Sequence, residues 1–320
     1  MSMNQSNNQI IKKNLLIICR GAGDLATGII HRLHRAGHRV IARETVNPAA
    51  IRRQVSFCEA VYDGSAAVEG VTARLVPALA DAETDTETYS GINDTPAAHI
   101  ASEKWDSSAI EAVLEAGEVP LLIDPKGESI ELLKPDVVVD AIIAKKNLGT
   151  TINMAPLVIG VGPGFTAGQD VHLVIESMRG HNLARIITDG MARPNTGVPG
   201  NIAGFTSERV IHAPAAGYIH DVRKIGDIVQ KGDEIARIYP DKESYDNALS
   251  EYVPVNATIT GIIRGLIREG YYFREGFKIA DIDPRESELT NCFTISDKAR
   301  SIAGSVLEAV SAFEHGVKIY

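Results

Sequence analysis

The chain has 320 residues, 44% hydrophobic and 23% charged, with a formal net charge of -9. That length predicts two domains, and the acidic balance excludes nucleic acid as a partner, because phosphate backbones are held by clustered Lys and Arg. No apolar run approaches the ~20 residues of a membrane span, and the polar start Met1–Asn8, expected to be disordered, lacks a signal-peptide core, so a cytoplasmic protein with no membrane partner is expected.

In chain order, the apolar runs Leu15–Ile18, Val40–Ala42, Val71–Val76, Val119–Ile123, Val137–Ile143, Leu157–Val161 and Val171–Ile175 read as strands buried on both faces. Helical patterns at Asp24–Ala36 and Ser107–Ala116, each followed by glycine, lie between them. Alternation of strand and helix predicts an α/β domain over 1–205, a Rossmann-like, doubly wound and mostly parallel sheet.

The first turn, Gly21-Ala22-Gly23-Asp24-Leu25-Ala26, has the small residues of a dinucleotide turn. Gly21 permits a tight turn, Gly23 lets backbone approach a pyrophosphate, and the helix start offers free N–H groups. Glu44 stands at the end of the second strand, where a carboxylate bonds a ribose 2′-hydroxyl. The competing reading is an empty tight turn in which Asp24 caps the helix. Further on, Ala78–Trp105 is an acidic excursion, either a lid or a solvated insertion.

Lys146 and Asn147 follow the strand at Val137, and Gly162 and Gly164 follow the strand at Leu157. A glycine loop there can cradle an anion that Lys146 neutralises; the alternative is a turn with a surface lysine. Asp170, His172 and Glu176 share one face of the next predicted strand, with Arg179 and His181 beyond it. They read as a polar substrate face or a structural network, and their spacing matches no metal motif, so no metal is expected. Thr188–Gly204, rich in Pro and Gly, is the expected hinge.

The second domain, 206–320, contains a repeat with a period of 44 residues: Gly217, Gly226, Gly232, Ile235 and Ala236 recur as Gly261, Gly270, Gly276, Ile279 and Ala280. Both halves resemble the half-motif of biotinyl and lipoyl carrier domains, which implies a small all-β barrel. Lys242 stands at the carrier position, but its junction is long and lacks flanking methionines, so no covalent lipoyl or biotin is expected and the barrel is a docking or pocket-lining module. A C-terminal helix follows, capped by Ser296 or Asp297, whose stripe of Ile302, Val306, Leu307, Val310 and Phe313 is core or the seam of a homo-oligomer. Cys19, Cys58 and Cys292 are far apart and odd in number, which predicts buried thiols.

Taken together, Arg20–Gly28, Lys146–Thr150, Gly162–Gly168, Asp170-Val-His172, Arg179-Gly-His181, Gly261–Arg268, Asp283-Pro-Arg285 and Ser296–Arg300 resemble the YqeB family. Its members are accessory proteins of the selenium-dependent molybdenum hydroxylase system. The resemblance implies an accessory or maturation role, with the hydroxylase or its maturation machinery as partner and no assigned catalytic residue. Molybdopterin cytosine dinucleotide offers the Gly21–Gly23 turn and Glu44 the same pyrophosphate and 2′-hydroxyl as NAD(P). Two alternatives stand beside it: an NAD(P)-dependent oxidoreductase with Lys146, His172 or His181 as proton donor, and a binding module with a vestigial nucleotide site.

Overall fold

A computed structural model describes residues 14–78, 105–195, 197, 200, 202–248 and 251–319. Met1–Asn8 and nearly all of the acidic excursion lie outside the described residues. The first lobe runs β1 (Leu16–Arg20), α1 (Asp24–Arg35), β2 (Arg39–Glu44), α2 (Ala60–Asp63), β3 (Ser65–Val68), β4 (Val71–Leu75), α3 (Ser107–Glu115), β5 (Val119–Ile123), α4 (Glu128–Leu133), β6 (Val137–Asp140), β7 (Leu157–Val161), β8 (Thr166–Ala167), β9 (Leu173–Ile175), β10 (Ile186–Ile187) and β11 (Gly190–Met191).

Nine of these strands form one sheet in the order β10-β9-β7-β6-β1-β2-β5-β4-β3. β1 lies between β2 and β6, with Ile17 opposite both Val40 and Val137. Period-two alternation divides the side chains: Ile17, Cys19, Val40, Ala42, Val137 and Val139 point to one face, Ile18, Ile41, Leu122 and Val138 to the other. Helix α1 covers the first face with Ala26, Ile29, Ile30 and Leu33, one turn apart along a single stripe. Trp105, Ile110 and Ile130 cover the second.

The second lobe runs β12 (Val210–His212), β13 (Gly217–Asp221), β14 (Ile228–Val229), β15 (Glu234–Tyr239), α5 (Lys242–Asp246), β16 (Val253–Asn256), β17 (Gly261–Leu266), β18 (Tyr272–Phe273), β19 (Lys278–Asp283) and α6 (Asp297–Glu314). The repeat is visible as backbone. Gly217 and Gly261 have φ of 152° and 157°, and a Cβ there would collide with the carbonyls of Tyr239 and Asp283, themselves one period apart. The two copies interlock: the sheet β12-β19-β17-β14 takes two strands from each copy, as does β16-β15-β13-β18.

Three features correct the expected fold. The large sheet is mixed, because β3 pairs antiparallel with β4 and β10 with β9 at its two edges. The repeat forms two separate four-stranded antiparallel sheets, and among the described residues no strand pairing joins them into a closed biotinyl/lipoyl-like barrel. The last helix also leaves the second lobe. Ala299, Ile302, Ala303, Val306, Ala309 and Val310 of α6 pack into the core of the first. Gly28 makes the close crossing of α1 and α6 feasible, since a Cβ there would lie 2.8 Å from Ala299 Cβ.

Lys242 opens α5, bonding Asp246 Oδ1 at 2.6 Å, with Asp241 as the cap. All three cysteines are buried and free. Among the described residues no helix is long and apolar enough to cross a membrane.

A candidate ligand-binding cleft in the first lobe

The segment from Thr45 to Asp63 leaves the carboxyl end of β2 and binds the second lobe. Leu266 N donates to Ile51 O at 2.9 Å, Arg53 Nε to Leu266 O at 3.1 Å, and Arg52 Nη2 to Asn291 O at 2.9 Å. Arg268 clasps Asp63 at 2.6 and 2.9 Å and Glu59 at 3.0 Å. Between this segment and the carboxyl ends of β1, β2 and β6 lies a cleft of ≈ 500 Å³, bordered by Gly21, Gly23, Asp24, Leu25, Glu44, Arg52 and Ile142, among others. Strand order reverses at β1, and open α/β sheets leave a crevice at that place.

Gly21 adopts φ 94°, and its N–H donates to Arg43 O at 2.9 Å. Gly23 is the N-cap of α1 and provides no side-chain cap; Asp24 is the first helical residue, so the capping role considered for it is not taken. Glu44 is turned inward. Its Oε2 accepts the N–H of Ala22 at 2.9 Å and its Oε1 that of Thr45 at 2.8 Å. Burial pushes its carboxyl above the usual range, opposed by those two amide bonds. A carboxylate of the chain itself therefore occupies the amide that a pyrophosphate would need.

No family model matches the sequence. The uncharacterized protein YqeB of Escherichia coli K12 is 45% identical over 304 residues. The chain belongs to the YqeB family. The alignment covers 95% of this chain and 49% of that relative, so the chain spans about half the relative's length. Loose structural likenesses include an aspartoacylase family protein from Mesorhizobium loti, 12% identical over 86% of each chain with a TM-score of 0.27. A succinylglutamate desuccinylase from Silicibacter sp. TM1040 is similar at 12% identity over 84% of each chain, TM-score 0.24. At such scores no chemistry is transferred.

For this YqeB family member the nucleotide-based expectations are corrected. An accessory protein binding a dinucleotide and an NAD(P)-dependent oxidoreductase both require the turn amides and Glu44 to face a ligand's diphosphate and ribose. Ala22 and Glu44 instead bond each other.

The remaining sequence candidates disperse. Asn147 closes its own turn, accepting Thr150 N at 2.7 Å and donating to Thr150 O at 2.8 Å, while Lys146 is exposed. Gly162 and Gly164 are packing glycines rather than an anion cradle: a Cβ on Gly162 would meet Ser177 Oγ at 2.7 Å and one on Gly164 the Lys146 backbone at 2.6 Å. Asp170, His172 and Glu176 share no strand face, because β9 spans only Leu173–Ile175. Asp170 accepts Thr166 N at 2.8 Å and His172 Nδ1 accepts Val158 N at 2.9 Å. Glu176 accepts Met178 N and Arg193 N at 2.7 and 2.9 Å. Arg179 forms a bidentate pair with Asp297 at 2.7 and 2.9 Å, which holds that carboxyl well below its usual range, and His181 is exposed. Among the described residues no group of three or more His, Cys, Asp or Glu is placed to hold a metal.

Sequence reasoning passed over Arg52. Its side chain is only 10% exposed, and it borders the cleft. The available signal was the adjacent pair Arg52-Arg53 just beyond a strand's carboxyl end.

Proposed function

We propose that this protein binds a small metabolite in the cleft at the carboxyl ends of β1, β2 and β6. One observation carries the reading: at the mouth of a ≈ 500 Å³ cleft, a Cβ built on Gly23 meets nothing within 4 Å. Metabolite sites commonly have this size and this position in α/β sheets. The uncapped start of α1 presents amide donors to the space.

Gly23 has φ -68°, which any residue adopts, so a large side chain there fills the cleft without straining the backbone. Screening the wild-type protein and Gly23→Phe against a metabolite panel by thermal shift and native mass spectrometry tests the reading. Compounds that stabilise the wild type and not the variant support it. A panel in which every response is the same in both proteins refutes it.

A further inference from the structure

Arg52 is unusual in its partners. Its side chain is nine-tenths buried, yet among the described residues Nε finds no acceptor. Nη2 donates to the carbonyls of Asn291 and Thr294 at 2.9 and 3.2 Å, which orients the group without neutralising it. The nearest carboxylate oxygen, Asp24 Oδ2, stands 3.7 Å from Nη1, beyond hydrogen-bond distance.

The acids around Arg52 are engaged elsewhere. Asp281 receives Arg209 at 3.3 and 3.4 Å. Asp283 receives Arg285 Nε and Nη2 at 2.9 and 2.8 Å, and Asp297 is held by Arg179. Arg264 repeats the condition of Arg52: its side chain is 12% exposed, its Nη1 lies 3.8 Å from the occupied Asp283, and among the described residues its Nε has no acceptor. Burial, and after it the charge of Arg264, push the Arg52 guanidinium down, with Asp24 and Asp281 opposing. Two buried forks of like charge with open donors cost free energy until an anion joins them.

We infer that the cleft binds its ligand through an oxyanion, a carboxylate or a phosphate, received by the open donors of Arg52 beside the start of α1, with Arg264 adding positive field behind it. This rests on the cleft reading above. Glu44 also borders the cleft, with both its oxygens taken by the backbone amides of Ala22 and Thr45. Asp24, 37% exposed, is the competitor: an anion at Arg52 displaces it toward solvent.

The test titrates the full chain calorimetrically with sodium phosphate and with sodium succinate at constant ionic strength, using sodium chloride as the control. One series should bind saturably, and the series that does so distinguishes a phosphate from a carboxylate ligand. Arg52→Gln should weaken that binding about tenfold or more. Arg52→Lys should fall between, since it keeps the charge and loses the fork. Asp24→Asn, on a partly exposed side chain, should bind more tightly, and it decides the matter if Arg52→Gln does not fold. Affinity that is unchanged in both Arg52→Gln and Asp24→Asn, yet lost in Gly23→Phe, overturns the role of Arg52 and leaves the cleft reading standing. No saturable binding of either anion above chloride overturns the inference, while uncharged compounds sensitive to Gly23→Phe would still support the cleft.

Discussion

Replacing Asp221 with Asn should flatten one component of the pH dependence of folding. Asp221 ends β13, with its side chain 13% exposed. Oδ2 lies 3.2 Å from Arg53 Nη2 of the first lobe, and Oδ1 is buried without a partner among the described residues. Glu269 accepts the Asp221 N–H, the Tyr245 hydroxyl at 2.6 Å and an approach of 3.1 Å from His220 Nδ1. Burial, and then the charge of Glu269, push the Asp221 carboxyl up to about 7 from 3.8, against the pull of Arg53 and His220. A carboxyl raised in the folded state contributes stability that is fully present below about pH 4 and is lost as pH rises through about 7. That loss amounts to about 4 kcal/mol. Asn cannot ionise, so the stability of Asp221→Asn relative to wild type should rise by about 3 kcal/mol between pH 4.5 and 8.5, and by at least ~1 kcal/mol if half the shift is lost to relaxation. Urea denaturation followed by circular dichroism at several pH values measures it. A difference that stays constant within about 0.5 kcal/mol across that interval would refute the argument.

Two further substitutions test the frame of the cleft. Glu44→Ala leaves the buried Ala22 N–H without its acceptor, which should cost about 1–3 kcal/mol; Glu44→Gln retains an oxygen and should cost less, and equal stability of the two variants would deny Glu44 that role. Gly28→Val drives a methyl toward Ala299 Cβ and Ile295 Cγ2, and should lower stability by about 1–3 kcal/mol; a variant with the urea midpoint of the wild type would show that α1 and α6 can separate freely.

Some of this molecule is legible in the sequence because the signal is local. The run Val137–Ile143 contains β6, and the helical stripe starting at Asp24 is α1. Gly217 and Gly261 recur because a carbonyl stands where a Cβ would be, a constraint no other residue satisfies. The cleft was harder. The interval from Gly23 to Glu44 is the same whether the carboxylate faces a ribose or turns back onto Ala22 N, and only the fold decides between them. Arg52 is invisible for a related reason: the carbonyls that orient it, of Asn291 and Thr294, lie far along the chain. The spacing of Asp170, His172 and Glu176 implied a shared face only while the strand was assumed to continue through them, and the short β9 removed that assumption.

The return of α6 to the first lobe has a consequence for the order in which the protein is made. A ribosome delivers β1 to β11 first, then the whole second lobe, and only then the helix that covers α1. Until that moment Gly28 lacks its final neighbours Ile295 and Ala299, and one face of the nascent sheet stays partly bare. The second lobe, whose interlocked copies can pair with each other as soon as both have emerged, is able to complete its sheets before the domain that precedes it. The lobe synthesised ahead of the second is thus sealed after it.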